Sequence, residues 1–225
     1  MFNWFYINFQ DFGSKIKMLM IEFHDLALVI LLMIMVFILY MILMFMKNDF
    51  VNKMILHNQM IEIIWTLIPM VILMFMVLPS LKILYLIEEV INPYMTLKIL
   101  GHQWYWSYEY SDFKDIEFDS FMLNDLDNKS NFRLLDVDNR LVIPYKINVR
   151  GLISSLDVIH SWALPSMGVK VDAIPGRMNQ MFMNFERLGV YFGQCSEICG
   201  LNHSFMPIVV ESTKLNLFLN WLINF

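Results

Sequence analysis

Cys195-Ser196-Glu197-Ile198-Cys199-Gly200-Leu201-Asn202-His203-Ser204-Phe205-Met206 lies near the C-terminal end of a 225-residue chain and holds its only two cysteines. Two thiols, an imidazole and a thioether in one short stretch are soft and borderline ligands. That set suits copper rather than magnesium or calcium. A further imidazole is needed, and His160, in Asp157-Val158-Ile159-His160-Ser161-Trp162, is the best placed candidate. A mononuclear copper site of the electron-transfer kind takes two histidines, one cysteine and a distant methionine, so the second cysteine is the departure to explain. Two thiolates can bridge two coppers. A Cys-x-x-x-Cys pair outside a reducing compartment is also open to a plain disulfide. A zinc site remains an alternative too, although His-x-x-Met replaces the usual His-x(3–5)-His pair and thioether suits zinc poorly.

The rest of the chain divides by hydropathy. Hydrophobic residues make up 58% of it and mean hydropathy is +0.53, above the apolar share of an ordinary soluble domain. No charged residue occurs for 21 positions between Asp25 and Lys47, or for 19 between Glu62 and Lys82. About 20 apolar residues cross the hydrocarbon core as a helix. Two spans, about 23–46 and 63–87, therefore bracket a short loop and return the chain to its starting side. Pro69 and Pro79 are tolerable within the second span. Each run exceeds a signal-peptide core and no small-residue cleavage site follows, so both are expected to remain. The expected organisation is an N-terminal segment 1–22, a transmembrane helical hairpin 23–87, and a domain 88–225.

After Ile87 the pattern turns to short alternating runs. Thr96 to Tyr110, Leu141 to Val149, Ile153 to Ile159, Met181 to Phe185, Val190 to Gln194 and Pro207 to Glu211 read as strands separated by Gly, Pro, Asn and Asp turns. Many short strands argue for an all-β sandwich or small barrel. A metal loop between two late strands, with a histidine on an earlier one, fits a cupredoxin-like Greek key. Residues 214–225 read as a closing helix.

Charge is concentrated in that domain. Residues 1–87 carry five acidic and five basic groups, so the whole net charge of −5 belongs to the remainder. Glu109 to Asp138 alone hold nine acidic and three basic residues. A local negative field steers a basic partner, whereas a solvated acidic face is the plainer alternative. An acidic chain of this kind is not expected to take nucleic acid as a partner. In Trp104 to Tyr110, alternation puts Trp104, Trp106, Tyr108 and Tyr110 on one face of a strand and Tyr105, Ser107 and Glu109 on the other. Spacing does not single out any of these rings as functional.

From about residue 12 to the end, the chain resembles subunit II of cytochrome c oxidase of the mitochondrial type. The likeness is densest in Gly101-His102-Gln103-Trp104-Tyr105-Trp106-Ser107-Tyr108-Glu109-Tyr110, in Asp172-Ala173-Ile174-Pro175-Gly176-Arg177, and in the Cys195 to Met206 loop. The resemblance implies a dinuclear copper centre with His160, Cys195, Cys199, His203 and Met206 as side-chain ligands and Glu197 as a backbone-carbonyl ligand. It implies a magnesium ion shared with subunit I on the Glu197 carboxylate, and electron uptake through Trp104. Docking of cytochrome c on Glu109, Asp115, Asp119, Asp138 and Asp157 follows from the same likeness, as does proton uptake from the matrix at Glu62, just before Trp65-Thr66. The implied function is to accept electrons from cytochrome c and pass them to haem in subunit I, for oxygen reduction coupled to proton pumping. The implied location is the mitochondrial inner membrane, with the large domain in the intermembrane space and the other oxidase subunits alongside.

Three rivals are weighed against residues. A thioredoxin-type copper chaperone has Pro after its second cysteine and helices between its strands, but Gly200 follows here and the pattern is β. A quinol oxidase subunit of the same fold lacks the copper ligands that this chain retains. A structural, disulfide-clipped domain leaves His203 and Met206 without a role.

Overall fold

The computed structural model describes residues 8–50, 52–54, 56–89, 92–113, 116–124 and 132–225. The chain forms two compact units: Leu19–Leu86, and Ile87–Phe225 together with the described part of Met1–Met18.

The first unit is built on two long helices, α1 (Lys15–Lys47) and α2 (Gln59–Glu88). Ser14 caps α1, its Oγ accepting from the Lys17 amide at 3.0 Å. Asn58 caps α2 in the same way through the Ile61 amide at 3.3 Å. Capping of this kind satisfies amides that the first helical turn leaves without partners. At about 1.5 Å rise per residue both helices exceed the thickness of a hydrocarbon core of about 30 Å. Their apolar stretches are not buried within the protein, so the Leu, Ile, Met and Phe side chains are left to face lipid. Pro69 and Pro79 both lie inside α2.

Among the described residues of the second unit the chain forms ten strands, β1 (Met95–His102), β2 (Tyr105–Tyr110), β3 (Ile116–Ser120), β4 (Leu141–Pro144), β5 (Val149–Ser155), β6 (His160–Leu164), β7 (Val169–Ala173), β8 (Asn179–Met183), β9 (Gly189–Gln194) and β10 (Pro207–Thr213), followed by α3 (Leu215–Asn224). One sheet has the order β3-β2-β1-β5-β8, a second β4-β10-β9, and β6 pairs with β7. The β1–β5 and β4–β10 ladders are parallel and the rest antiparallel. Each parallel ladder requires a crossover connection. The result is the all-β, cupredoxin-like sandwich expected from the sequence, following two apolar helices. Alternate residues point inward: Leu97 and Ile99 from β1, Trp106, Tyr108 and Tyr110 from β2, and Ile208 and Val210 from β10 are all buried. The Tyr110 hydroxyl donates to the Val142 carbonyl at 2.7 Å and so joins the two sheets. Phe218 and Leu222 of α3 close one end of this core.

The segment before α1 belongs with this domain. Gly13 N–H donates to the Ser166 carbonyl and its carbonyl accepts from the Glu186 amide, both at 2.8 Å. The Arg187 guanidinium lies 4.4 Å from the Phe12 ring centre.

Three expected strands are divided or shortened. Thr96–Tyr110 is a hairpin rather than one strand, with Gln103 and Trp104 forming the turn between His102 and its partner Tyr105. Leu141–Val149 breaks after Pro144, where Lys146 takes a positive φ of 58°. Ile153–Ile159 ends at Ser155. Neither Gln103-Trp104 nor Tyr145-Lys146 carries Gly, Asn or Asp, the residues by which turns are read. Strands β3, β6 and β7 are additional to the expected set.

Candidate metal centre

The antiparallel register pairs Gln194 with Pro207. The loop from Cys195 to Met206 is therefore closed at its base, and its first and last residues emerge side by side. The Ser196 amide donates to the Ser161 carbonyl at 3.0 Å, which fastens the loop to β6 next to His160. His160 is fully buried, Cys195, Cys199 and Met206 are buried, and His203 is half-buried. One ligand atom each from His160, Cys195 and Cys199 lies within 4.8 Å of the others.

The groups fall into two halves. Cys195 Sγ is 3.9 Å from His160 Nδ1 and 3.3 Å from the Glu197 carbonyl oxygen. Cys199 Sγ is 3.6 Å from His203 Nδ1 and 3.5 Å from Met206 Sδ. Each half has one thiol, one imidazole and one weaker donor. Ligands about 2.0–2.3 Å from one ion lie at most about 4.6 Å apart, so these separations fit metal in each half. Both thiols are free, and the plain disulfide is not formed.

Two glycines make room for this arrangement. A Cβ on Gly101 would stand 2.8 Å from His160 Cδ2, so β1 passes directly beneath the imidazole. Gly200 has φ +126°, and a Cβ there would lie 3.1 Å from Trp104 Cζ2. The Trp104 indole thus rests against the residue that follows Cys199. Trp106, two residues on, lies behind the site: its Nε1 donates to the Met206 carbonyl at 3.3 Å, and its ring is edge-on to His160 at 5.9 Å.

Asp157 fixes the tautomer of His160. Its Oδ1 lies 2.8 Å from His160 Nε2. A carboxylate only accepts, so we assign the proton to Nε2, which leaves the Nδ1 lone pair directed at the site. Burial pushes the Cys195 thiol up, but the His160 imidazole and backbone hydrogen bonds at Ser161 and Glu197 more than offset this and hold it below its ordinary value. Burial and the neighbouring Cys195 push the Cys199 thiol up. Burial pushes His160 down, while Cys195 and Asp157 outweigh it and leave the imidazole raised. The first thiol is thus the readier to ionise in the metal-free protein.

The other expected site residues are dispersed. The Glu197 side chain is exposed, and Glu62 is exposed in the first turn of α2. Asp119 lies on β3. Asp138 Oδ1 accepts from the Phe121 and Asn139 amides at 2.8 and 2.7 Å. Phe121 stacks on Tyr105 and Tyr105 on His102, with ring centres 4.5 and 4.4 Å apart; burial holds His102 below its ordinary value, with Asp157 and Asp119 opposing. Glu109, toward the far end of β2, is paired with Lys98 at 2.6 Å. Asp115 lies outside the described residues.

Known protein families match both units of the chain. The model for the transmembrane domain of cytochrome c oxidase subunit II matches residues 2–83, and that for its periplasmic domain matches residues 95–213. The chain belongs to the cytochrome c oxidase subunit II family. Cytochrome c oxidase subunit 2 of the honeybee Apis mellifera ligustica is 54% identical over 221 residues, 98% of each chain. That of Drosophila subobscura is 54% identical over 224 residues, covering 99% of this chain and 97% of the relative. Among solved structures, the periplasmic domain of the Bradyrhizobium japonicum subunit II has a TM-score of 0.57 at 43% identity, covering 60% of this chain and 96% of that one. A subunit II in a mixed-disulfide intermediate with a thioredoxin-like protein has a TM-score of 0.54 at 42% identity, covering 61% and 94%. As a member of the subunit II family, the protein is a membrane-anchored part of a haem–copper terminal oxidase, an oxidoreductase complex, and associates with other oxidase subunits. The family carries copper, and the His160, Cys195 and Cys199 group is the part of this chain suited to it.

Sequence reasoning did not reach Gly101, Gln103 or the bond from Asp157 to His160. Asp157 lies three residues before His160, but the resemblance offered it only as one of five acids for docking. Only the fold gives the directions of its two oxygens.

Proposed function

We propose that this chain is the electron-accepting subunit of the oxidase, taking electrons from cytochrome c at a dinuclear copper centre and passing them to haem in subunit I. The observation that carries this reading is the division of the donors into two sets, each with a thiol, an imidazole and a weaker donor: Cys195 with His160 and the Glu197 carbonyl, and Cys199 with His203 and Met206. Two thiolates placed between two imidazoles suit a bridged pair. A bridged copper pair supplies one-electron storage with little change in bond lengths. The chain's own residues do the rest: His160, Cys195, Cys199 and Met206 are buried, Asp157 holds the His160 tautomer, and the Trp104 indole rests on Gly200, next to Cys199.

Residues 88–225 serve as the copper domain and 23–87 as the anchor, in the mitochondrial inner membrane with the large domain in the intermembrane space. Insect relatives of nearly full length support that location. Asp119, Asp138 and Asp157 flank the His102–Tyr105–Phe121 stack beside Trp104 and form the favoured docking face for basic cytochrome c. Glu109 contributes less, because Lys98 offsets its charge. Asp115 completes the docking set carried over from the resemblance. The Glu197 carboxylate, which is exposed, would offer a hard oxygen to magnesium shared with subunit I, and Glu62 is the candidate for proton uptake, serving the coupled pumping of the whole complex.

The test is copper content and the low-temperature paramagnetic spectrum of the full chain in detergent. Two coppers per chain with one unpaired electron shared equally by both nuclei is the expected result. One copper with hyperfine coupling to a single nucleus, or none with a Cys195–Cys199 disulfide, would overturn the assignment. For docking, Asp119→Asn in the assembled oxidase should raise KM for cytochrome c a few-fold at low salt and progressively less as salt screens the field. An unchanged salt dependence would remove Asp119 from the docking face.

A further inference from the structure

Trp104 lies in a two-residue turn whose sequence gives no reason for a fixed shape. Gln103 is exposed, so burial does not hold this turn. Long-range hydrogen bonds do. Its backbone N–H donates to Asp157 Oδ2 at 2.6 Å, across 54 residues. Its side-chain Nε2 donates to the Cys199 carbonyl at 2.8 Å, across 96 residues. The other Asp157 oxygen meets His160 Nε2 at 2.8 Å and accepts from the Val158 amide at 2.6 Å. The Leu156 amide also donates to the Gly101 carbonyl at 3.2 Å, tying the two turns together.

We propose that Gln103 and Asp157 form a clasp that fixes Trp104 against both halves of the metal site, and that both are positioning residues for electron uptake. The proposal rests on the copper reading above. One arm runs from Gln103 through Asp157 to His160, in the Cys195 half. The other runs from the Gln103 side chain to the backbone of Cys199, in the other half. Trp104 follows directly, with its indole on Gly200. Electron transfer slows steeply as donor and acceptor separate, so the position of the Trp104 indole against the metal site bears directly on the rate of uptake. Exposed turns without such ties are among the most mobile parts of a domain. Both Asp157 oxygens are directed inward at donors, so this carboxylate acts on a docked partner only through its field.

The test uses the assembled oxidase and, separately, the metal-free full chain in detergent labelled with 5-fluorotryptophan, the Trp104 resonance being identified by its loss in Trp104→Phe. Gln103→Ala changes no charge. It should slow electron uptake from bound cytochrome c several-fold or more, leave KM and its salt dependence unchanged, and shift or broaden the Trp104 fluorine resonance. Asp157→Asn replaces one of the two acceptor oxygens by an amide donor, so one arm must open. It should alter the copper hyperfine pattern and move the same fluorine resonance. An unmoved Trp104 resonance in both variants would overturn the clasp, as would an Asp157→Asn effect confined to a salt-dependent rise in KM. If the unsubstituted chain holds no copper pair, the electron-uptake reading fails by itself, and the fluorine resonance in the metal-free chain still decides whether the clasp exists.

Discussion

The two halves of the metal centre are built by different means. Cys199, His203 and Met206 come from one loop, within eight residues of each other, and their mutual approach follows from spacing and from the ladder that closes the loop. Cys195 meets His160 from another strand, 35 residues away, and that meeting depends on the Ser196–Ser161 bond, the Asp157 carboxylate and the absence of a side chain at Gly101. The first kind of half is local and half-open. The second is tertiary and sealed. A site of this type can keep one histidine rigid by packing while leaving the other nearer the surface.

The contrast can be broken at several points. Cys195→Ser should have the largest effect, because in the proposed centre this thiolate would serve both halves: copper content should fall below two per chain and the shared-electron spectrum should vanish. Retention of that spectrum would refute bridging. Next is Gly101→Val, which drives a branched side chain into the His160 ring and touches no ligand of the other half. Overpacking of this kind costs typically about 1–3 kcal/mol, so thermal unfolding should come earlier and copper should be lost first through the His160 half. Unchanged melting and copper content would mean that the tertiary half is less tightly built than the geometry indicates.

Met206→Leu removes a weak donor from the local half while nearly conserving volume. Two coppers should remain and only the reduction potential should move; loss of a copper would make Met206 a structural ligand. The smallest effect is expected from alkaline titration. Burial holds the Tyr108 and Tyr110 hydroxyls well above the ordinary tyrosine range. For an acid whose folded pKa is raised, the stabilisation is present below the unfolded value near 10 and is lost as pH rises beyond it. These two should therefore ionise only as the domain unfolds. Their early ionisation, followed by ultraviolet absorbance, would show that the packing behind the His160 strand is looser than the buried rings imply.

The sequence determined by itself what depends on composition, period and local spacing. Two uncharged runs set two membrane-spanning helices because lipid offers backbone groups no partners outside a helix. Alternation in the second half set a β domain, and the Cys-x-x-x-Cys-x-x-x-His-x-x-Met loop set the chemistry of the site, since ligand softness belongs to residue type. The aromatic alternation of Trp106, Tyr108 and Tyr110 was legible for the same reason. Tertiary structure alone decided what depends on direction across long separations. It broke Thr96–Tyr110 into a hairpin at Gln103-Trp104, a turn without turn residues, because Asp157 and Cys199 supply the hydrogen bonds that hold it. It turned one surface aspartate into the partner of His160, and it set Glu109 against Lys98. Such pairings reside in side-chain vectors fixed only when strands distant in sequence become neighbours, and no local pattern records them.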